Sequence, residues 1–133
     1  MTYLIDSDWV ADLLKGKPAA IRLFQPLEAK GLTISLVTVG EIYEGIYYGA
    51  DQERHDAGFR AFLDGIDVLP LNRSIMRRFA RLRGDLRRRG QIIGDFDLLI
   101  AATALHYDLT LVSRNVAHFG RVPGLVLLPP DGG

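Results

Sequence analysis

Short apolar runs alternate with longer amphipathic segments along the whole chain. Five runs have the length and composition of strands buried in a parallel sheet, at residues 3–5, 32–35, 68–71, 109–113 and 125–128. Pro70 lies in the third run. Because proline cannot donate to a central ladder, this strand is expected either to lie at an edge of the sheet or to be leaving the sheet at Pro70. The alternation predicts a three-layer α/β/α fold with a mainly parallel five-stranded sheet, in one domain over residues 1–133.

Helices are predicted where apolar residues recur at helical spacing. They cover residues 9–14, 19–30, 39–47, 51–64, 73–89 and 96–107, with a helical turn over 116–119. Pro26 is expected to kink or split the second helix, and the last five residues, 129–133, are expected to fray. The candidate N-caps are Asp8 or Ser7 for the first helix, Thr38 or Ser35 for the third, and Asn72 for the fifth.

The composition is that of a globular protein with a core of its own. The chain has 133 residues, of which 48% are hydrophobic, and it contains no cysteine. Disulfides, thiolate metal sites and thiol catalysis are therefore excluded. The N-terminus carries no basic region before Asp6 and no apolar run approaches a membrane span, so we expect a cytoplasmic protein with no membrane association.

A net charge of zero conceals a strongly basic segment. Residues 73–89 contain eight arginines, at positions 73, 77, 78, 81, 83, 87, 88 and 89, against a single acid, Asp85. Arginine stems that cover the core from a solvated helix face would explain this pattern. A concentrated basic stripe can equally bind an anion such as a phosphate backbone.

Acidic side chains accumulate where the predicted strands end. Asp6 ends the first strand, Glu41 lies in the helix after the second, and Asp95 and Asp97 precede an uncharged helical run. In open α/β sheets such positions share the carboxyl edge. Two unit charges about 4 Å apart repel by roughly 4 kcal/mol at an effective dielectric near 20, so a cluster of acids favours a cation. With oxygen ligands alone, the expected ion is Mg²⁺ or Mn²⁺.

Other candidate groups have simpler interpretations. Asp8 is expected to cap a helix or to lie in its first turn. Ser7 and Ser113 lack a base partner, which argues against a serine nucleophile. The three histidines follow no metal-ligand spacing and are interpreted as surface or packing residues, at positions His55, His106 and His118.

Four segments in order also resemble a known family. They read Tyr-Leu-Ile-Asp-Ser at 3–7, Val-Gly-Glu-Ile at 39–42, Gly-Asp-Phe-Asp-Leu-Leu-Ile-Ala-Ala-Thr-Ala at 94–104, and Leu-Val-Ser-Arg-Asn at 111–115, followed by His-Phe at 118–119. This set resembles the PIN-domain ribonucleases, and within them the VapC-type toxins of toxin–antitoxin pairs. The resemblance covers nearly the whole chain, as a single PIN domain.

The resemblance implies an Mg²⁺-dependent endoribonuclease that hydrolyses RNA phosphodiester bonds with a metal-bound water. It further implies a homodimer and a cognate VapB-type antitoxin that covers the active site. Asp6 and Asp97 would be the main metal ligands and Glu41 would complete an acidic triad. Asn115 stands where the family often has a fourth acid, and Asp95 can restore that charge as a catalytic or metal-binding group. The resemblance also implies supporting polar groups at Ser7, Ser113 and Asn115, and RNA contacts at Arg77, Arg81, Arg88 and Arg114.

Alternative functions remain open from the sequence. A housekeeping PIN nuclease in RNA processing would carry the same acids. The first strand with Asp6 also resembles haloacid-dehalogenase-type phosphatases, in which that Asp is the nucleophile, but the lysine such enzymes need before a late acidic pair is absent. A non-catalytic module that binds RNA or a protein partner is the third alternative, and the RNA substrate is not specified.

Overall fold

The computed structural model describes residues 2–128, which form five strands and seven helices. The strands are β1 (Tyr3–Ile5), β2 (Leu32–Ser35), β3 (Asp67–Leu69), β4 (Thr110–Val112) and β5 (Leu127–Leu128). The helices are α1 (Ser7–Leu14), α2 (Pro18–Glu28), α3 (Leu36–Tyr47), α4 (Gln52–Asp64), α5 (Arg73–Arg88), α6 (Asp95–Tyr107) and α7 (Val116–Phe119). The predicted frayed tail lies outside the described residues.

The strands form one sheet in the order β3-β2-β1-β4-β5, and every pairing is parallel. The predicted α/β/α architecture is confirmed, and the sheet is wholly rather than mainly parallel. Leu4 pairs with Thr33 on one side and with Leu111 on the other, so β1 is the central strand. β3, which precedes Pro70, is at an edge as predicted.

Two apolar clusters cover the two faces of the sheet. Leu4 and Ile5 are both fully buried, but they belong to different clusters because successive side chains of a strand point to opposite faces. One cluster joins α5 and α6 to the sheet, and the other joins α1, α2, α3 and α4. The buried residues of α5 are Ile75 and Leu86, while its arginines occupy other positions of the helix.

Local sequence signals explain several helix boundaries. Asn72 caps α5 by accepting a hydrogen bond from the Ile75 amide, and Ser35 caps α3. The cap of α1 is Asp6 rather than Asp8 or Ser7, because the Asp6 carboxylate accepts from the Ser7 amide. α2 continues through Pro26 without a break, so the predicted split does not occur.

Helix α6 places an acidic first turn beside the sheet. Leu98 and residues 100–104 are buried, which holds this helix inside the domain. Its N-terminal turn carries Asp95 and Asp97. None of the helices within residues 2–128 is long and apolar enough to cross a membrane.

Candidate active site

Asp6 lies at the carboxyl end of the central strand and is only 6% exposed. Its amide donates to the carbonyl of Val112 on β4 at 2.9 Å, which continues the parallel ladder into the site. Its Oδ1 accepts from the Ser7 amide at 2.8 Å, and its Oδ2 accepts from the Ser113 hydroxyl at 2.6 Å. The carboxylate is therefore held in one orientation by neutral donors.

The surroundings of Asp6 disfavour its charge. The pKa of Asp6 is raised to about 7, with burial as the largest cause and the charges of the neighbouring acids Asp8 and Asp97 acting in the same direction. The hydrogen bonds from Ser113 and Ser7 act in the opposite direction. A buried carboxylate beside other acids is costly to ionise unless a cation compensates its charge.

Ser7 links Glu41 to Asp6 because it donates a hydrogen bond to each of the two carboxylates. The Ser7 hydroxyl lies 2.6 Å from Glu41 Oε1 and 3.2 Å from the Thr38 hydroxyl. Burial raises the pKa of Glu41, and the charge of Asp97 adds to that shift. Glu44, by contrast, is exposed on the same helix, so Glu41 is the glutamate of α3 that faces the cluster.

Asp97 reaches the same edge of the sheet from α6. Its Oδ2 accepts from Asn115 Nδ2 at 3.1 Å, and burial raises its pKa. Asn115 lies in the loop after β4, and its backbone N–H donates to the Ser113 hydroxyl at 3.0 Å. Ser113 thus links Asn115 to Asp6, and one network connects residues that are far apart in the chain.

Two residues of this network were not among the candidate site residues from sequence. His118 Nδ1 lies 3.0 Å from Asn115 Nδ2 and 4.0 Å from Asp97 Oδ2. His118 is exposed, as expected for a surface residue, and its ring also contacts Asn115 at the edge of the site. The signal available in the sequence was its position one helical turn after Asn115. Asp8 lies in the first turn of α1 as expected, and it also adds negative charge beside Asp6.

Asp95 is oriented toward a different partner. Its Oδ1 lies 2.7 Å from Nε of Arg83 on α5, and the pair is solvent-exposed. Its charge is therefore compensated outside the buried cluster. Of the two acids that open α6, Asp97 is the one in contact with the network around Asp6.

Arg114 is held against α1. Its guanidinium lies 3.7 Å from the centre of the Trp9 ring, and it forms an ion pair with Asp12. The hydrogen bond from Arg114 is the largest cause that lowers the pKa of Asp12 below its ordinary value, and the charges of Arg114 and Lys17 add to it while burial opposes it. The Arg114 amide also donates to Asp8 Oδ2 at 3.0 Å. These contacts fasten the loop that carries Ser113 and Asn115 onto the first helix.

The arginines of α5 lie on a separate surface. Arg77 and Arg81 line a groove of about 350 Å³ together with Ser74, Arg78, Leu82, Asp85, Leu105 and Pro123. Arg88 is exposed in the last turn of α5. Leu105 lies eight residues after Asp97, which corresponds to about 12 Å along α6. The groove is therefore separate from the acid cluster, since none of its lining residues is Asp6, Glu41 or Asp97.

The donor chemistry of the site suits a hard divalent cation. Asp6, Glu41 and Asp97 offer carboxylate oxygens, and all three have raised pKa values because they are buried together. Within residues 2–128 no group of three acidic or histidine side chains is arranged to hold a metal ion. Their oxygens face hydroxyl and amide donors instead, so metal binding would require a carboxylate to share or exchange these donors.

The fold and the site together define an α/β/α domain with a parallel sheet and a cluster of carboxylates at the carboxyl edge of that sheet. The chain belongs to the PIN-domain family, since the family model described as "PIN domain" matches residues 3–125. Within that family its relatives are VapC proteins. It is 31% identical over 125 residues to the tRNA(fMet)-specific endonuclease VapC of Shigella flexneri, with 94% of this chain and 95% of that protein covered.

Solved structures agree with this assignment. The DNA-bound VapBC of Salmonella typhimurium superposes with a TM-score of 0.90 at 26% identity, and the match covers 98% of both chains. A toxin–antitoxin complex from Klebsiella pneumoniae superposes with a TM-score of 0.75 at 27% identity, covering 97% of this chain and 98% of that one. The resemblance to PIN-domain proteins of the VapC type is confirmed.

Proposed function

We propose that this protein is a metal-dependent endoribonuclease that acts as the VapC-type toxin of a toxin–antitoxin pair in the cytoplasm. The observation that carries the proposal is the gathering of Asp6, Glu41 and Asp97 at one edge of the sheet, where burial raises the pKa of each. The VapC names of its relatives support the same conclusion.

Asp6 and Asp97 would hold Mg²⁺ or Mn²⁺, with Glu41 as the third acid. When bound, the ion would activate a water for attack and neutralise charge on the phosphate. Ser113 holds Asp6 through its hydroxyl, and Asn115 holds Asp97 through its amide. Asp97 or Glu41 would orient the attacking water.

RNA contact is proposed for the arginines of α5. Arg77 and Arg81 line one groove with a single acid, and Arg88 extends the basic surface. Arginine side chains on such a surface can contact phosphates without reading sequence. Arg114 is less available, because its guanidinium is already engaged by Trp9 and Asp12. We therefore assign the backbone contact mainly to α5, and a fastening role to Arg114.

A cognate VapB-type antitoxin is the proposed protein partner. A groove of about 620 Å³ begins at Glu41 and runs between α1, α3 and α4, with an apolar floor that includes Leu14, Ile42 and Ile46. An antitoxin segment could place apolar side chains in this groove and an arginine on the acids at its end. The similarity to solved toxin–antitoxin complexes supports this partner. A homodimer of the toxin is also proposed.

The activity is tested by incubating the purified protein with RNA and Mg²⁺, with and without a chelator. The name of the Shigella relative makes tRNA(fMet) the first RNA to examine. We expect cleavage that the chelator abolishes, and at least about a hundredfold loss in Asp97→Asn because a charged ligand is removed. Asp95→Asn is the matched control, since that carboxylate faces Arg83, and it should retain cleavage.

The alternatives predict different results in the same experiment. Cleavage by folded Asp97→Asn would refute the assignment, and circular dichroism checks its fold. A phosphate trapped covalently on Asp6 would instead support the phosphatase alternative, and RNA binding without cleavage would support a binding module. A housekeeping nuclease would not arrest growth when expressed, whereas a toxin should, and its antitoxin should relieve the arrest.

A further inference from the structure

The side chain of Asn115 connects His118 to the acid cluster. Asn115 Nδ2 lies 3.1 Å from Asp97 Oδ2 and 3.0 Å from His118 Nδ1. His118 lies in the short helix α7, one turn beyond Asn115, and 46% of its side chain is exposed. The imidazole therefore stands at the solvent-facing side of the site, with one nitrogen turned inward.

The chemistry of these contacts selects one tautomer of His118. A carboxylate oxygen accepts, so the Asn115 atom that faces Asp97 is the amide nitrogen, which has two protons to donate. The flipped amide would place two acceptor oxygens against each other. The second N–H of Asn115 is donated to His118 Nδ1, which must then carry a lone pair. The proton of the neutral imidazole is consequently on Nε2.

This arrangement leaves an oriented donor beside the cluster. Asn115 engages Nδ1, and among residues 2–128 no protein group forms a hydrogen bond with Nε2–H. The nearest acid, Asp97, is itself proposed to contact the ion that holds the RNA phosphate. A phosphate bound there would bring acceptor oxygens to the side of the site at which His118 is exposed.

We propose that His118 is a substrate-contacting residue whose Nε2–H donates a hydrogen bond to a phosphate oxygen of RNA bound at the acid cluster. The inference rests on the proposed ribonuclease function and adds a residue to it. Asn115 has a positioning role, because its amide sets both the orientation of Asp97 and the tautomer of His118. The donor acts as a neutral group, so no proton transfer from His118 is involved.

Comparison of His118→Gln with His118→Asn distinguishes a hydrogen bond from position 118 to RNA from a contact that only supports the side chain of Asn115. A glutamine amide can reach the position of Nε2, whereas an asparagine amide is limited to the region of Nδ1. For the proposed contact, His118→Gln should retain kcat/KM for RNA within about threefold. His118→Asn and His118→Ala should lower it by about tenfold or more, as expected for a lost hydrogen bond to a charged group.

The opposite pattern would overturn the inference. If His118→Asn retains activity and His118→Gln loses it, His118 only supports Asn115. An unchanged kcat/KM in His118→Ala would likewise refute the contact. The wild-type protein and Asp97→Asn are run in parallel, because absence of cleavage in the wild type is a failure of the proposed function and not of this contact.

Nuclear magnetic resonance of ¹⁵N-labelled histidine supplies a readout that does not depend on cleavage. The signals of His118 are assigned by their loss in His118→Gln. We expect the chemical shifts to show an unprotonated Nδ1 and a protonated Nε2. RNA added to the wild-type protein with Ca²⁺ in place of Mg²⁺, so that all three carboxylates are kept, should perturb Nε2. The opposite tautomer, or an Nε2 signal unaffected by bound RNA, would overturn the proposal.

Discussion

Substitution of Asp6 by asparagine should stabilise the metal-free protein at alkaline pH. Asp6 is 6% exposed, and burial raises its pKa from 3.8 to about 7. Asparagine removes the buried charge while it keeps an oxygen that can accept from the Ser7 amide. Its amide group can donate to Ser113, whose hydroxyl oxygen is able to accept.

The sign and size of the effect follow from proton linkage. The folded state of the wild type binds a proton on Asp6 more tightly than the unfolded chain does, so unfolding releases protons between pH 4 and 7. The free energy of unfolding of the wild type should therefore fall as pH rises through this window. A shift of about three pKa units corresponds to roughly 4 kcal/mol. Asp6→Asn has no titrating carboxyl at this position, so its free energy of unfolding should not fall in this way.

The measurement is urea unfolding followed by circular dichroism in chelator, at pH 4 and at pH 8. We expect the stability of Asp6→Asn relative to the wild type to increase by about 4 kcal/mol between the two pH values. Comparing two pH values isolates the charge, because the cost of rearranging hydrogen bonds is present at both. Asp95→Asn serves as the control for an exposed acid that is paired with Arg83.

Magnesium should narrow the difference in stability between Asp6→Asn and the wild type at pH 8. At ten times its Kd the ion would add about 1.4 kcal/mol to a protein that binds it only when folded, and Asp6→Asn should gain little. A relative stability of Asp6→Asn that does not change between pH 4 and pH 8 would refute the reasoning. Asp6 would then be ionised at no cost, and its burial would have been compensated by Ser7 and Ser113.

The remaining predictions concern other contacts of the site and the core. Ser113→Ala removes the hydroxyl that donates to Asp6, so the pKa of Asp6 should rise and the pH–rate profile for RNA cleavage should move to higher pH; an unchanged profile would contradict this role. Arg114→Met should lose about 1–2 kcal/mol in urea unfolding, because the cation over Trp9 and the ion pair with Asp12 are both removed, whereas Arg60→Met, an exposed pair with Asp56, should lose less than about 0.5 kcal/mol. Arg77→Ala with Arg81→Ala should weaken RNA binding and reduce the slope of log Kd against log salt by about two units, and an unchanged slope would place the RNA elsewhere. Phe59→Ala, at a fully buried ring, should cost about 3–5 kcal/mol of unfolding free energy.

Much of the fold was predictable because its signals are local. Apolar runs marked the five strands, Asn72 marked the start of α5, and Pro70 placed its strand at an edge, as the structure confirms. These features depend on backbone preferences and on burial patterns of a few residues. The details that were wrong, such as the cap of α1 and the expected break at Pro26, concern alternatives that differ little in local energy.

The candidate site was predictable in outline for a topological reason. Parallel strands bring their carboxyl ends to one edge, so the order of the elements was enough to associate Asp6 with Glu41 and with one of the acids of α6. That Asp97 rather than Asp95 joins the network could not be read from the chain. The two lie about 200° apart around a helix, and only the packing of α6 beside α5 decides that Asp95 meets Arg83.

The sequence by itself determined the class of fold, the family and the set of acids, because each depends on residue type and order along the chain. Tertiary structure alone decided the roles of Arg114 and His118. Arg114 looks like a free cation in the sequence, but its guanidinium lies over the ring of Trp9, which is distant in the chain. His118 enters the site because α7 turns back toward α6, where Asn115 stands between it and Asp97. Such long-range contacts depend on how the layers pack, and packing is a property of the whole chain.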